Sequence, residues 1–299
     1  MTNKYQLTQR HDGTQAVVLF LSFLLDDGRK IYKLGQGLSK ADKICHGCST
    51  IMEGLVKKLI FPTVVCLVCL IVVGAMGGYA QAYAANRLVP VYRVARTDNK
   101  VAITFDAAWG ADKTQQILDV CRQYNVTATF FLVEFWVQEY PHMVAQIAAE
   151  GHEIGTHSST HPQMSKLSAQ QITQQLQSSS KAIFDITGQP ITLFRPPFGD
   201  YNNTLIQVAN DMGLQTIQWS VDSLDWKGLS ALQIATRVQK ATAGDIILCH
   251  NNSDHIVQAL PLIFEALQLK GLQFVPVGQL IYTENYHIDS QGTMHSNIQ

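Results

Sequence analysis

Between residues 98 and 282, short apolar runs alternate with longer segments in which apolar residues recur every three or four positions. The runs VAITF (101–105), TATFFLV (127–133), HEIGT (152–156), TLF (192–194), LQTIQWS (214–220), DIILC (245–249) and LQFV (272–275) predict strands. The segments ADKTQQILDVCRQYN (111–125) and SAQQITQQLQSSSKAIFDITG (168–188) predict helices, and the second opens on a capping signal, Ser168 with Gln171 three residues on. In EGHEI, MGLQT and KGLQF a glycine separates a helical segment from the next strand, where a left-handed residue ends a helix. Strand, helix, strand is the repeating unit. It predicts an α/β domain with about seven parallel strands, arranged as an open doubly wound sheet or as a barrel.

Ahead of this domain, Leu59 to Met76 carries no charge, Lys57 and Lys58 precede it, and Ala80, Ala82 and Ala84 follow. Basic residues on the N-terminal flank keep that end in the cytoplasm, so the rest is expected outside it, as an extracytoplasmic bacterial protein that is anchored or secreted. The expected organisation is a cytoplasmic or mis-started extension (1–58), a signal peptide or transmembrane anchor (59–80), a linker (81–97), the catalytic-type domain (98–282) and a tail (283–299). A start at Met52 would give a short basic region, an apolar run and a small-residue exit, so residues 1–51 read as an upstream extension of the frame. AVVLFLSFLL (16–25) is too short to span a bilayer. Cys45 and Cys48, in CHGC, resemble half of a zinc or redox motif without its other half.

Composition removes some classes. The chain of 299 residues is 46% apolar with a net charge of −1, enough to bury one large domain or two ordinary ones. Residues 1–58 hold nine Lys/Arg against five Asp/Glu, and acidic residues outnumber basic ones in the remainder. With no basic stripe, nucleic acid is not an expected partner.

The unusual polar residues fall at one end of the predicted strands. Asp106 follows the first, His157 and His161 the third, Arg195 the fourth, Asp222 and Asp225 the fifth, and His250 the sixth. In parallel α/β folds the C-terminal strand ends share one mouth, so these side chains can converge there. His157 and His161, four positions apart, can bind a divalent cation if a turn brings them together. The segment HSSTH lacks the glutamate of the H-E-x-x-H motif. Cys249 adjoins His250, but alternation along a strand turns it to the opposite face, as packing and not as a nucleophile. Trp109 and Trp226 can stack on sugar rings or pack at the rim.

Five blocks in order, TFDAAWG, THSSTH, RPPFG, VDSLDW and LCH, resemble the polysaccharide deacetylases with the NodB homology domain, a carbohydrate esterase group. The form of the first block is most similar to the sporulation-associated PdaB-type branch. The resemblance covers residues 98 to about 282 and implies a distorted (β/α) barrel of about seven strands. It also implies hydrolysis of N-acetyl groups on an amino-sugar polysaccharide such as peptidoglycan, and a divalent metal, Zn²⁺ first and Co²⁺ as an alternative.

By that resemblance Asp106 is the catalytic base, Arg195 its orienting partner, and His157 and His161 are metal ligands. Phe198 offers a backbone N–H to the oxyanion. Asp225 orients the acid, Trp226 and Leu248 line the acetyl pocket, and His250 is the general acid. One position departs from the pattern: the family's TFDDG supplies a second aspartate as third metal ligand, where this chain has Ala107. That leaves a second reading, a glycan-binding or structural homologue that has lost turnover.

Overall fold

Strand Lys100–Ala107 alternates its side chains between two environments, and this alternation organises the domain. Val101, Ile103, Phe105 and Ala107 pack outward against the helices, whereas Ala102 faces an inner apolar cluster. Fully burying a side chain the size of Ile103 or Phe105 contributes about 1.5–3 kcal/mol, so the outer layer fixes the strand's register and with it the direction of Asp106.

The structure is a computed structural model that describes residues 58, 61–85 and 87–298. Its strands are β1 (Arg93–Val94), β2 (Lys100–Ala107), β3 (Thr129–Leu132), β4 (Glu153–Thr156), β5 (Leu193–Phe194), β6 (Gln215–Thr216), β7 (Val221–Asp222), β8 (Ile246–His250), β9 (Gln273–Phe274), β10 (Tyr286–Ile288) and β11 (Thr293–Ser296). The main sheet runs β6-β5-β4-β3-β2-β8-β7, with β9 paired to the start of β2, and every pairing in it is parallel. It curls into an open half-barrel whose end strands, β6 and β7, do not pair, and this fits the distorted barrel that the resemblance implied.

The expected strand 214–220 is shorter than predicted, and a further strand begins just beyond it. Gln215–Thr216 pairs with β5 on one edge of the sheet, while Val221–Asp222 pairs with β8 on the other. Only residues 217–220 lie between, and the five steps from Thr216 to Val221 span at most roughly 18 Å, so the two edges must curl towards each other. This short crossing carries Trp219 to the mouth, and β7 carries Asp222 there.

The predicted helices form over Thr114–Gln123 and Ala169–Thr187. Ser168 accepts from the Gln171 N–H and Gln171 reaches back to the Ser168 N–H, as its capping signal predicted. Gly151, Gly213 and Gly271 all have the left-handed φ that their junctions require. Gly155 serves a different purpose: a Cβ there would meet the Phe131 ring at 2.7 Å, so its absence lets that ring fill the barrel.

The segments expected as linker and tail build a three-stranded sheet, β1-β11-β10, that buries Val94 and Met294. The chain divides into two units, Met1–Ala82 and Tyr83–Gln299. The apolar segment expected to cross a membrane is helical over Phe61–Ala85. Among the described residues no helix is long and apolar enough to cross a membrane. The anchor reading thus gains no support from the fold. The extension 1–51, the run 16–25 and the CHGC pair lie outside the described residues.

Candidate active site

The parallel register sets Asp106 of β2 directly beside His250 of β8. Arg195 leaves β5 one residue after Phe194, its N–H donating to the Thr156 carbonyl at 3.0 Å, and His157 leaves β4 with its N–H on Leu132 O at 2.9 Å. Four strand ends therefore deliver four polar side chains to one mouth. A cavity of about 710 Å³ opens there, lined by Asp106, Trp109, His157, His161, Phe198, Asp225, Trp226, Leu248 and His250. Nine of the ten site residues expected from sequence line it; the tenth, Arg195, lies fully buried beneath Asp106.

Arg195 stacks at 4.2 Å over the Phe131 ring, the ring that Gly155 makes room for. Its Nη1 donates to Asp106 Oδ1 at 2.8 Å and to Thr104 Oγ1 at 2.7 Å, and its Nη2 donates to Gln218 O at 3.1 Å. Burial alone would raise the Asp106 pKa, but the adjacent Arg195 charge, helped by His157 and His250, outweighs it and holds the carboxyl below its ordinary value. Asp106 is accordingly an anion at neutral pH, with one oxygen committed to Arg195.

The second pair is built in the same way. Asp225 is buried; its Oδ1 lies 2.8 Å from His250 Nδ1, and its Oδ2 accepts the His250 backbone N–H at 2.8 Å. Burial pushes the imidazole pKa down, yet the Asp225 hydrogen bond and charge more than offset this and leave it raised. Asp222, the other acid that follows the fifth predicted strand, accepts the Leu224 N–H at 2.8 Å and shapes the turn in which Leu224 has φ 53°.

His157 and His161 converge as expected, with ring centroids 5.0 Å apart. His157 Nδ1 donates to Arg195 O at 2.7 Å, which turns a bare Nε2 towards Asp106 Oδ2, 3.6 Å away. Burial drives both imidazoles towards the neutral form; the His161 pKa falls to about 4 through burial and the neighbouring His157. Neutral imidazoles are the form that binds metals.

A third protein donor does not follow. Ala107, packed with the outer apolar layer, is fully buried and does not line the cavity. Among the described residues no group of three His, Cys, Asp or Glu side chains is placed to hold a metal ion. Catalytic zinc sites ordinarily use three protein ligands, so this donor set does not fit a resident zinc or cobalt ion held in that way.

Phe198, expected to offer its backbone N–H, has φ 61° in the short turn Pro197–Gly199, a conformation costly for a bulky residue and concentrated at functional sites. Its ring lies 4.6 Å from that of His161. Cys249 packs in the outer layer, as alternation predicted, and burial pushes its thiol pKa well up. Sequence reading missed Trp219, Asn251, Asn252, Ser253 and Asp254 among the lining residues. Ser253 supports the acid pair by donating to Asp225 O at 2.7 Å. The polar run that follows LCH was the available signal.

Residues 93–217 match the family model described as polysaccharide deacetylase; Asp225 and His250 lie beyond that match. A peptidoglycan-N-acetylglucosamine deacetylase, PgdA, of Listeria monocytogenes is 38% identical over 204 residues, covering 68% of this chain and 43% of its own length. The chain thus spans less than half of that relative. A peptidoglycan-N-acetylglucosamine deacetylase of Bacillus cereus is 36% identical over 196 residues, covering 64% of this chain and 92% of its own. Among solved structures, BA3943 of Bacillus anthracis, described as a CE4 family pseudoenzyme, aligns with TM-score 0.62 and 30% identity over 70% of this chain and 72% of its own.

Proposed function

We propose that this chain, which belongs to the polysaccharide deacetylase family, binds an N-acetylated amino-sugar polysaccharide, peptidoglycan in the first instance, and hydrolyses its N-acetyl groups to acetate and free amine. The observation that carries this reading is the pairing of two carboxylates at one cavity: Asp106–Arg195 favours an anion, and Asp225–His250 favours a cation. Environments that separate two titratable groups in this way assign a base and an acid.

In this reading Asp106 takes a proton from the attacking water while Arg195 fixes its orientation. The Phe198 N–H meets the oxyanion, and one such donor is often worth roughly 3 kcal/mol in the transition state. The C–N bond then breaks as His250 delivers a proton to the departing nitrogen, because an amide anion is too basic to leave unprotonated. Leu248 and Trp226 enclose the acetyl methyl, and Trp109 meets a sugar face at the rim. No step here passes through a metal ion, because among the described residues His157 and His161 have no third ligand beside them.

A second reading rests on a specific observation. Ala107 lies in the apolar layer, and the similar Bacillus anthracis structure is described as a pseudoenzyme, so a groove that binds glycan without turnover is the competing function. Incubating the full chain with N-acetylated peptidoglycan tests both: acetate release supports the hydrolase, glycan binding without acetate supports the second reading, and neither removes both.

The site of action follows from the substrate. Lys57 and Lys58 before an uncharged run argue for export of residues beyond 80, anchored or after cleavage, where a bacterial wall polymer is accessible. The form of the TFDAAWG block favours a sporulation-linked setting.

A further inference from the structure

Among the described tryptophans and phenylalanines, three are more than half exposed, Trp109 and Phe198 at 65% and Trp226 at 59%, and all three line the same cavity. Trp109, although exposed, stands on a loop held by hydrogen bonds. The carbonyl of the next residue, Gly110, accepts two hydrogen bonds, from Trp136 Nε1 at 2.8 Å and from Asn251 Nδ2 at 2.8 Å. Gly110 has φ 66°, and a Cβ there would collide with the Asn252 amide, so only glycine fits.

Asn251 is the organising member of this cluster. It is 2% exposed, follows His250 directly, and donates its backbone N–H to Asp106 O at 3.1 Å. The same Nδ2 lies 3.2 Å from Thr114 Oγ1, at the start of the helix that closes the loop. One side chain thus joins the strand end of the base, the loop of Trp109 and the following helix. The loop it holds sets the Trp109 ring edge-on to His161, at 5.0 Å between centroids.

We propose that Asn251 is a positioning residue: through the Gly110 carbonyl it holds Trp109 as a fixed aromatic wall on which a sugar ring of the glycan stacks. The wall role rests on the glycan reading above; the positioning role does not. Indole faces suit the C–H-rich faces of pyranose rings, and a pre-set ring avoids the entropy of ordering it on binding.

The full chain carrying Asn251→Asp, which keeps the shape and as a carboxylate cannot donate to Gly110 O, tests this against wild type and Trp109→Ala at a pH where that carboxylate is ionised. Hydrogen exchange of residues 107–112 is expected to accelerate about tenfold, the loss of roughly one hydrogen bond, with the helix Ile256–Leu269 unchanged. Affinity for an N-acetylated chitooligosaccharide is expected to fall about tenfold in each single variant, and no further in the double variant, because both remove one contact. If the charge prevents folding, Asn251→Ser, too short to reach Gly110, carries the same comparison. Unchanged exchange in 107–112 overturns the positioning role. Faster exchange with unaltered glycan affinity, or losses that add, overturns the wall. A wild-type chain that binds no N-acetylated glycan refutes the proposed function and the wall together, while exchange still decides the positioning role.

Discussion

Asp225 holds His250 at two points, carboxylate oxygen to ring nitrogen and carboxylate oxygen to backbone N–H, both at 2.8 Å. The ring bond raises the imidazole pKa and the backbone bond fixes where the ring stands. A general acid must be protonated before it acts, so turnover is expected to decline as pH rises through the raised His250 value. Asp225→Asn keeps the size but loses the charge. It is expected to shift that decline to lower pH and to cut kcat by about 10²-fold or more, read from the pH–rate profile of acetate release. An unmoved decline would detach His250 from the acid role.

Arg195 and Asp106 form an ion pair with no exposure on the arginine side. Removing one partner of such a pair strands a buried charge, so Arg195→Met is expected to cost about 3–5 kcal/mol in urea unfolding at neutral pH. Because Asp106 loses the charge that lowers its pKa, part of that loss should be recovered as acid protonates the carboxylate. A loss independent of pH would mean that packing over Phe131, not charge, is the arginine's contribution.

His152 gives a separate pH test away from the cavity. It is buried, and its Nδ1 accepts the Ala128 N–H at 3.1 Å, a bond that only a bare nitrogen can make. Burial, first among the causes, lowers its pKa below the ordinary 6.5. The unfolded chain therefore takes the proton first, and the stability due to neutral His152 is lost as pH falls from about 6.5 towards the folded value. His157 and His161 act in the same direction. Tm followed from neutral to mildly acid pH should drop less steeply in His152→Asn than in wild type; parallel curves would exclude the residue as a contributor.

Metal chemistry is separable from the fold. With two convergent imidazoles and no third ligand in place, chelator treatment is expected to leave Tm unchanged. Zinc added to the full chain and then dialysed should remain at less than one ion per chain. Retention of one tightly held ion that His157→Ala abolishes would show a third donor reaching the site.

Much of this was legible in the chain, for reasons that differ by residue. The alternating strands and the helix caps are local, so Ser168, Gly151 and the direction of Cys249 could be read directly. The convergence of Asp106, His157, Arg195 and His250 follows from one topological rule for parallel sheets. What escaped depends on pairing partners. LQTIQWS looks like one strand, yet only Gln215–Thr216 of it pairs with β5, and the chain just beyond it, Val221–Asp222, joins the opposite edge of the sheet, which no periodicity reports. Asp222 and Asp225 are equivalent by spacing, and only the turn at Leu224 decides which reaches His250. Asn251 carries no motif, and its importance arises from three segments that meet only in the fold.

Single-turnover acetate release addresses the central claim most directly, with the full chain in excess over an N-acetylated peptidoglycan fragment, in parallel with His250→Ala. Hydrolysis with His250 as the acid predicts acetate from wild type and its loss in the variant, with fragment binding retained by both. Bound fragment that yields no acetate from the wild-type chain would contradict it.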